Sequence, residues 1–534
     1  MKRVLRWQAV CVLGLLSLWM ASPVQAQQPT VVLSLKSVDE LLDDADFIGE
    51  ALGQDGARET AEQFLGTFTD GKGLAGIDQE QPLGLYWNVS PAGQPGMPVV
   101  FLPIDDEEAF RGLIKMLAPD LKENDGLWST TVNGQKLFAK FANGYCFISN
   151  SADTLEKPAN PKKIVNGKYD IALDVSIVSI PQNLKDVFLQ QTEQQGRAGL
   201  ENGPEPKNEA EKKGQELGFD WTLAALTALV NEGDRMTLGF DVNSESRLAS
   251  VDLGLSGKPN TALAKAMTAY GKTIPAFAAV ASEEAPFRLV MSYPTTGMLE
   301  KIDELFGAMR EVADAEIDKD EKLKDDADKQ AARDVAKRLF DIGQATMKSG
   351  SLHSVIVLEE GDDDTVRIIG GTKVAKGDDA GKLFDDILKL SKESPETAQV
   401  KADVAKHAGA RIHAITPDLK EEQATMFGDG PGHMAVRADS LWFSLGGGNL
   451  DALKQALDRS GKKAAQPGAP ISLRVKPATL VMLLESNDEG LIERAEALAG
   501  EPGDVLIVEI VPTPSGAKLH IEFGVDLFKL GIAE

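Results

Sequence analysis

The chain repeats several of its own phrases, in the same order, and that repetition constrains its fold more than any single motif. PIDDEEAFRGLIKML, from Pro103, is answered by KGDDAGKLFDDILKL, from Lys376. Asp105 and Asp106 align with Asp378 and Asp379, and Phe110 aligns with Phe384. Each stretch follows an apolar run, PVVFL from Pro98 or VRII from Val366. Aspartates can cap free amides and favour the dipole at a helix start. Phe110, Leu113, Ile114 and Leu117 then share one helical face.

Three further pairs follow in register. NGYCFISNSADTLEK, from Asn143, matches DSLWFSLGGGNLDALK, from Asp439, with Phe147 on Phe443 and Leu155 on Leu453. YDIALDVSIVSI, from Tyr169, matches APISLRVKPATLV, from Ala469, and both carry the period of two of a half-buried strand. GDRMTLGFDVNSESRLASVDLGL, from Gly233, matches GDVLIVEIVPTPSGAKLHIEFGV, from Gly503, each reading as a hairpin across a polar turn. The expectation is an internally duplicated α+β chain. It comprises two units of mainly antiparallel sheet with helices packed on one face, residues 27–275 and 276–534. The spacing differs where charged inserts appear. REVADAEIDKDEKLKDDADKQAARDVAKRLF, from Arg310, is Ala-, Asp- and Lys-rich without proline, and predicts a long exposed helix near 310–345.

The N-terminus reads as a secretory signal peptide over residues 1–26. Lys2, Arg3 and Arg6 precede an apolar run from Ala9 to Met20, and Val24-Gln25-Ala26 fits a small-x-small cleavage site. No later segment has about 18 uninterrupted apolar residues, so no membrane span is expected after cleavage. Export to the periplasm or the extracellular space follows from this reading. Removing the segment takes away three bases and no acid, and moves the formal charge from −26 to −29. Such a surface repels nucleic acid and anionic lipid and suits a basic partner or cell-envelope component. Cys146 alone survives processing, so no internal disulfide can form, and its apolar neighbours predict that it packs as a small hydrophobe.

Four features bear on chemistry. Gly446-Gly447-Gly448 before Asn449 could cradle an anion at a helix start. The first copy makes the same passage with Asn150-Ser151-Ala152, so a tight turn, with Asn449 or a neighbour capping the helix, is the simpler expectation. Asp362, Asp363 and Asp364 are candidate calcium ligands, but they fall between strand-like SVIVLEE and TVRIIGG and read first as a hairpin turn. GTFTDGKG, from Gly66, has the spacing of a phosphate loop without its Ser or Thr, and follows a helix where that motif wants a strand. His407, His413 and His433 could in principle hold zinc, but no pair of histidines has i, i+4 spacing and no HExxH occurs. No GxSxG occurs, no catalytic residue can be chosen, and no cofactor is expected.

The signal peptide, the phrases VVFLPIDDEEAF and SLWFSLGGGNLDALKQAL, and the closing KLHIEFGVDLFKLG together resemble large secreted proteins of unknown function from planctomycete-type bacteria. That resemblance brings no catalytic residues. The expectation is a non-enzymatic exported protein that binds or scaffolds in the periplasm or cell envelope. An extracytoplasmic hydrolase with a site between the halves, or a carrier of an apolar ligand, are the alternatives.

Overall fold

Alternation along the chain becomes antiparallel ladders throughout the computed structural model. It describes residues 29–531 apart from 55, 69–72, 91–95, 133, 204–205, 207–208, 297–298, 321–322, 324, 363–364, 394–398, 418, 463–467 and 484–487. The signal-peptide segment, Asp363 and Asp364 therefore lie outside the described residues. The chain divides into two compact units. The first takes the chain through Gln191 together with 228–261. The second takes 192–227 and everything from Ala262, so the division falls at Thr261/Ala262 and a stretch of the first half groups with the second.

The first unit runs β1 (Val31–Leu35), α1 (Val38–Ala51), α2 (Ala57–Phe68), β2 (Leu83–Trp87), β3 (Val99–Pro103), α3 (Glu107–Leu117), β4 (Lys122–Asn124), β5 (Leu127–Val132), β6 (Gln135–Ala142), β7 (Tyr145–Ser149), α4 (Pro161–Ile164) and β8 (Ile171–Ser176). Two helices, α5 (Gln182–Glu201) and α6 (Glu209–Glu232), then lead to β9 (Gly233–Asn243) and β10 (Leu248–Gly257). The ladder order is β4-β5-β6-β7-β3-β2-β1-β8-β9-β10, antiparallel at every step.

The second unit opens with α7 (Ala262–Gly271) and β11 (Phe287–Pro294). It continues through α8 (Leu299–Lys319), α9 (Asp326–Lys348), β12 (Ser351–Glu360), β13 (Val366–Lys373), α10 (Gly377–Glu393), β14 (Gln399–His407), β15 (Ala410–Thr416), α11 (Glu421–Phe427), β16 (Gly432–Val436), β17 (Ser440–Leu445), α12 (Asn449–Ser460) and β18 (Ile471–Val475). Helices α13 (Pro477–Leu483) and α14 (Glu489–Glu496), then β19 (Leu506–Thr513), β20 (Gly516–Gly524) and α15 (Phe528–Gly531), complete it. Its ladder order is β14-β15-β16-β17-β13-β12-β11-β18-β19-β20. This is the order of the first unit, strand for strand. A backbone detail coincides as well: Lys36 N donates to Asp170 O at 2.8 Å, and Ser292 N donates to Pro470 O at 2.6 Å at the equivalent point.

The expected coverage of one face is exceeded, for each sheet carries a packed apolar cluster on both faces. Successive residues of a strand point to opposite sides, so Phe147 joins Val32, Tyr86, Phe101 and Leu155 on one face while Cys146 joins Phe110, Leu113 and Trp128 beneath α3 on the other. In the second unit Trp442 packs with Val355, Val357, Leu453 and Leu457 under α12. The opposite core holds Ile342, Val374, Ala380 and Leu383 beneath α9 and α10. Leu155 and Leu453 are both fully buried, as their alignment requires.

Three local expectations change. Phe443 is 44% exposed, and it is Trp442, 1% exposed, that takes the place of Phe147. A slip of one residue moves a side chain to the other face, and only the ladder fixes which residue is inside. The position opposite compensates in size, for Phe101 pairs with Phe147 whereas Gly371 pairs with Trp442. Second, Asp106 caps α3, accepting from Glu108 N and Ala109 N at 3.0 Å each, but α10 begins earlier, at Gly377, so Asp378 and Asp379 lie within its first turn. Gly377 permits this start because a β-carbon there would collide with the Arg437 carbonyl. Third, the charged insert is a helical hairpin, not one helix. Asp325 accepts from Asp328 N at 2.8 Å and so starts α9 as a separate element.

Candidate functional site

Two of the sequence candidates in the second unit are neighbours. Gly361 and Asp362 lie in the turn between β12 and β13, closed by Gly361 N to Thr365 O at 2.7 Å and by the Thr365 hydroxyl to Asp362 O at 2.6 Å. The same Thr365 Oγ1 accepts from Gly447 N at 3.0 Å, which ties this turn to the glycine turn before α12. Gly446 and Gly448 have φ of 108° and 65°, a left-handed backbone that favours glycine. A β-carbon at Gly448 would collide with the carboxylate of Asp362. That carboxylate therefore lies at the N-terminus of α12, where the helix dipole favours negative charge. The carboxylate of Asp362 thus lies beside the residues, Gly446–Asn449, that could cradle an anion.

Asn449 does not cap α12. The cap residue is Gly448, without a side-chain hydrogen bond, and Asn449 is the first helical residue. Its buried amide donates to Pro431 O at 3.1 Å and to Gly446 O, while its oxygen meets Ser444 Oγ at 3.2 Å and His433 Nδ1. The side chain is spent on fastening the end of β17 and the start of β16 to the helix, and none of it is left for the α12 amides.

Around this junction is an open pocket of about 260 Å³. Val280, Val357, Ile369, Ala452 and Ala456 form its apolar floor, and Glu359, Asp362, Arg367, Asp451, Gln455 and Arg459 supply polar groups. Arg367 is the fixed element. Its guanidinium holds Glu359 Oε1 through two nitrogens, at 3.0 and 2.9 Å, and donates to Gly447 O at 3.1 Å. Asp362 is 3.8 Å from the same guanidinium, and its side chain is 70% exposed. Asp451 pairs with Lys454 at 3.0 Å and is 81% exposed. The charged walls are thus exposed carboxylates at the mouth and a clamped ion pair deeper in. Sequence reading missed Glu359, Arg367 and Arg459. One signal was present: Asp451, Gln455 and Arg459 recur every four residues, which places them on one face of α12 beside the apolar stripe.

The remaining candidates disperse. Asp363 and Asp364 lie outside the described residues, so of that acidic run only Asp362 can be placed. His413 is fully enclosed on β15, its Nδ1 accepting from Asp403 N at 3.2 Å and its ring 4.4 Å from that of Phe384. His407 pairs with Asp458 at 2.9 Å, and His433 with Asn449. Among the described residues no group of three or more His, Cys, Asp or Glu is placed to hold a metal ion. Cys146 is fully buried, and burial pushes its thiol up to about 12. Half of the GTFTDGKG stretch, residues 69–72, lies outside the described residues.

The first unit holds a second polar centre that the sequence did not reveal. Lys36 Nζ lies 2.6 Å from Glu40 and 3.1 Å from the enclosed Asp170, whose other oxygen accepts from Val242 N at 2.7 Å. Asp44 faces this group with a buried oxygen that has no hydrogen-bond partner. Burial, and then the charge of Asp170, raises its carboxyl to about 7. At the equivalent point of the second unit the enclosed Ser292 meets His353 Nδ1 at 2.8 Å, and Ser351 meets His353 Nε2 at 2.8 Å. Burial lowers the pKa of that imidazole.

No protein family, curated protein or solved structure matches this chain. Among the described residues no helix is long and apolar enough to cross a membrane.

Proposed function

We propose that this is an exported, non-enzymatic binding protein of the periplasm or cell envelope, built by duplication of one α+β unit, which recognises a basic partner. The observation that carries the reading is Asp362 over Gly448. With its own carboxylate on the amide-lined start of α12, the pocket offers a ligand carboxylates, not free amides. Asp362 and Asp451 stand at its mouth, where an ammonium or guanidinium group would share them with Arg367 and Lys454, and the apolar floor of Val357 and Ala456 takes the aliphatic stem behind it. The volume suits one long basic side chain. The clamp of Arg367 on Glu359 supports holding over turnover, since a general base needs an acceptor that is free to take a proton. The strongly acidic composition supports the same class of partner by steering it electrostatically.

Calorimetric titration of residues 27–534 with tetralysine and with tetraglutamate tests this. Tetralysine should bind, tetraglutamate should not, and Asp362→Asn with Asp451→Asn should weaken tetralysine at least tenfold. Equal binding of both peptides, or no effect of the double substitution, would remove the pocket from consideration.

A further inference from the structure

Pairing across the ladders lines up leucines on one face of the first sheet. Leu85, Leu33, Leu173, Leu238 and Leu253 stand side by side on β2, β1, β8, β9 and β10. The row on either side of them, from Leu83 to Val251 and from Trp87 to Leu255, is apolar throughout. The second unit repeats this face. Ile356, Leu289, Leu473, Val508 and Ile521 form the middle row on β12, β11, β18, β19 and β20. Of the rows flanking it, from Leu358 to Phe523 and from Ser354 to Leu519, only Ser354 is polar.

None of these side chains is buried, and Leu238 is 42% exposed. On the opposite face of the same strands Val32, Ala172 and Asp252 are buried, as are Val290, Val355 and Ser472 in the second unit. A packed layer therefore covers one side of these strands and leaves the other open. The opening has boundaries. Across β3 and β7 the first face runs under α3, where Cys146 is fully enclosed. Along the strands it stops at the buried pair Val242 and Ala249. In the second unit α7 stands at the equivalent end, where Tyr270 donates to Ile510 O at 2.9 Å and Gly271 lies against Pro512. Each face is thus a bounded apolar trough, and both units carry it.

Size and polarity state what fits. Strands about 4.8 Å apart and alternate residues about 6.7 Å apart make the three rows roughly 20 Å by 14 Å, on the order of 300 Å². A stable protein interface takes about 800 Å² from each partner and has a polar, hydrogen-bonding rim. Neither a second copy nor a folded partner obtains that from one trough. Peptide groups laid on these rows would lose water and find no partner, because the amides of the strands beneath are used in the ladders. An acyl chain reaches about 15 Å, half the hydrocarbon thickness of a bilayer, and asks for no hydrogen bond. The formal charge of −26 adds a condition on the headgroup, because it repels anions.

We propose that each trough holds acyl chains of a lipid without net negative charge. The lipid is a ligand in addition to the basic partner. Its site lies on the far side of β12 from the acidic pocket, since Val357 lines that pocket and Ile356 points the other way. The two readings therefore stand or fall separately.

Sucrose-loaded phosphatidylcholine vesicles carrying radiolabelled dioleoylglycerol test this with residues 27–534, which contain every described residue. After the vesicles are sedimented, dioleoylglycerol should remain in the supernatant with the protein, at least tenfold above a protein-free control. Leu238→Glu with Val508→Glu puts a charge on the middle row of both troughs and should lower that amount at least fivefold. Leu33→Gln with Leu289→Gln, which adds no charge, serves as an independent pair should the first disturb the sheets. Radiolabelled oleate in place of dioleoylglycerol should be carried at least fivefold less. The proposal is overturned if no lipid stays in the supernatant, if neither pair of substitutions reduces it, or if oleate is carried as well as the neutral lipid. Protein that sediments with the vesicles and leaves no lipid behind would make the troughs a membrane-docking surface instead. Self-association of the lipid-free chain that both pairs abolish would assign the troughs to a second copy, and would also overturn the proposal.

Discussion

The ammonium of Lys36 lies 3.1 Å from Oδ1 of Asp170, and Asp170 is completely enclosed. A buried carboxylate is tolerated only when it is paired and hydrogen-bonded. Here Lys36 supplies the charge and Val242 N the second bond. Lys36→Met should therefore destabilise the first unit by about 2–3 kcal/mol, less than for a wholly buried pair because the lysine side chain is 40% exposed. The loss should appear as faster hydrogen exchange at the Val242 amide. Unchanged exchange there would show that Asp170 does not depend on Lys36.

Asp44 supplies the pH dependence. Its carboxyl is raised from 3.8 to about 7, chiefly by burial and then by the charge of Asp170. A group whose folded pKa is raised contributes stability that is fully present below its unfolded value and is lost as pH climbs through the folded one. The attachment of α1 to the sheet should thus be firmest near pH 4 as far as Asp44 is concerned, and weaken up to about pH 8. Asp44→Asn keeps the neutral form at every pH. Discounted for its partial solvent access, the gain at pH 8 is about 1 kcal/mol, or roughly 2–4 °C in melting temperature. Below about pH 4, where Asp44 is neutral folded and unfolded, the variant and the parent should melt together. A parent–variant difference that grows toward low pH would contradict the assignment.

How much of this could be read from the sequence varies with the range of the interaction. Strand, turn and helix in the repeated phrases were legible because apolar periodicity and turn residues are local signals. The hairpin turn at Gly361–Asp362 and the burial of Cys146 were legible for the same reason. Which aromatic of Trp442-Phe443 faces inward was not, because alternation allows either until β13 sets the register. The pocket was half visible. Asp362 and Gly446–Asn449 each carry a local signal, but their juxtaposition depends on β13 pairing with β17, across some 80 residues of chain. The Lys36–Asp170 pair spans 134 residues and left no local trace.

Asn449 separates a cap from a hub. Loss of an ordinary helix cap costs about 0.5–2 kcal/mol. Asn449→Ala would leave the Pro431 and Gly446 carbonyls, and the Ser444 and His433 side chains, without their partner inside the structure. Its cost should exceed that range, at about 2–4 kcal/mol. Asn449→Asp separates the roles further, because aspartate is an equally good cap but cannot donate to the two carbonyls. Urea denaturation followed by tryptophan fluorescence should place Asn449→Asp with Asn449→Ala. If aspartate restores stability, Asn449 acts as a cap after all.

Gly371 and Trp442 test whether the two units divide one core volume in different ways. Phe101 stands opposite Phe147 in the first unit, whereas Gly371 stands opposite Trp442 in the second, and a β-carbon at Gly371 would collide with the Trp442 ring. Gly371→Ala should overpack this core and cost about 1–3 kcal/mol. Trp442→Phe alone should leave a void and also destabilise. Combined, the smaller ring makes room for the added methyl, so the double variant should be more stable than the sum of the single losses predicts. A coupling of about 1 kcal/mol or more in that sense lies within the range for contacting residues. Strict additivity would mean that the backbone, not the ring, relieves the clash. The glycine would then be required by the strand itself and not by the size of its neighbour.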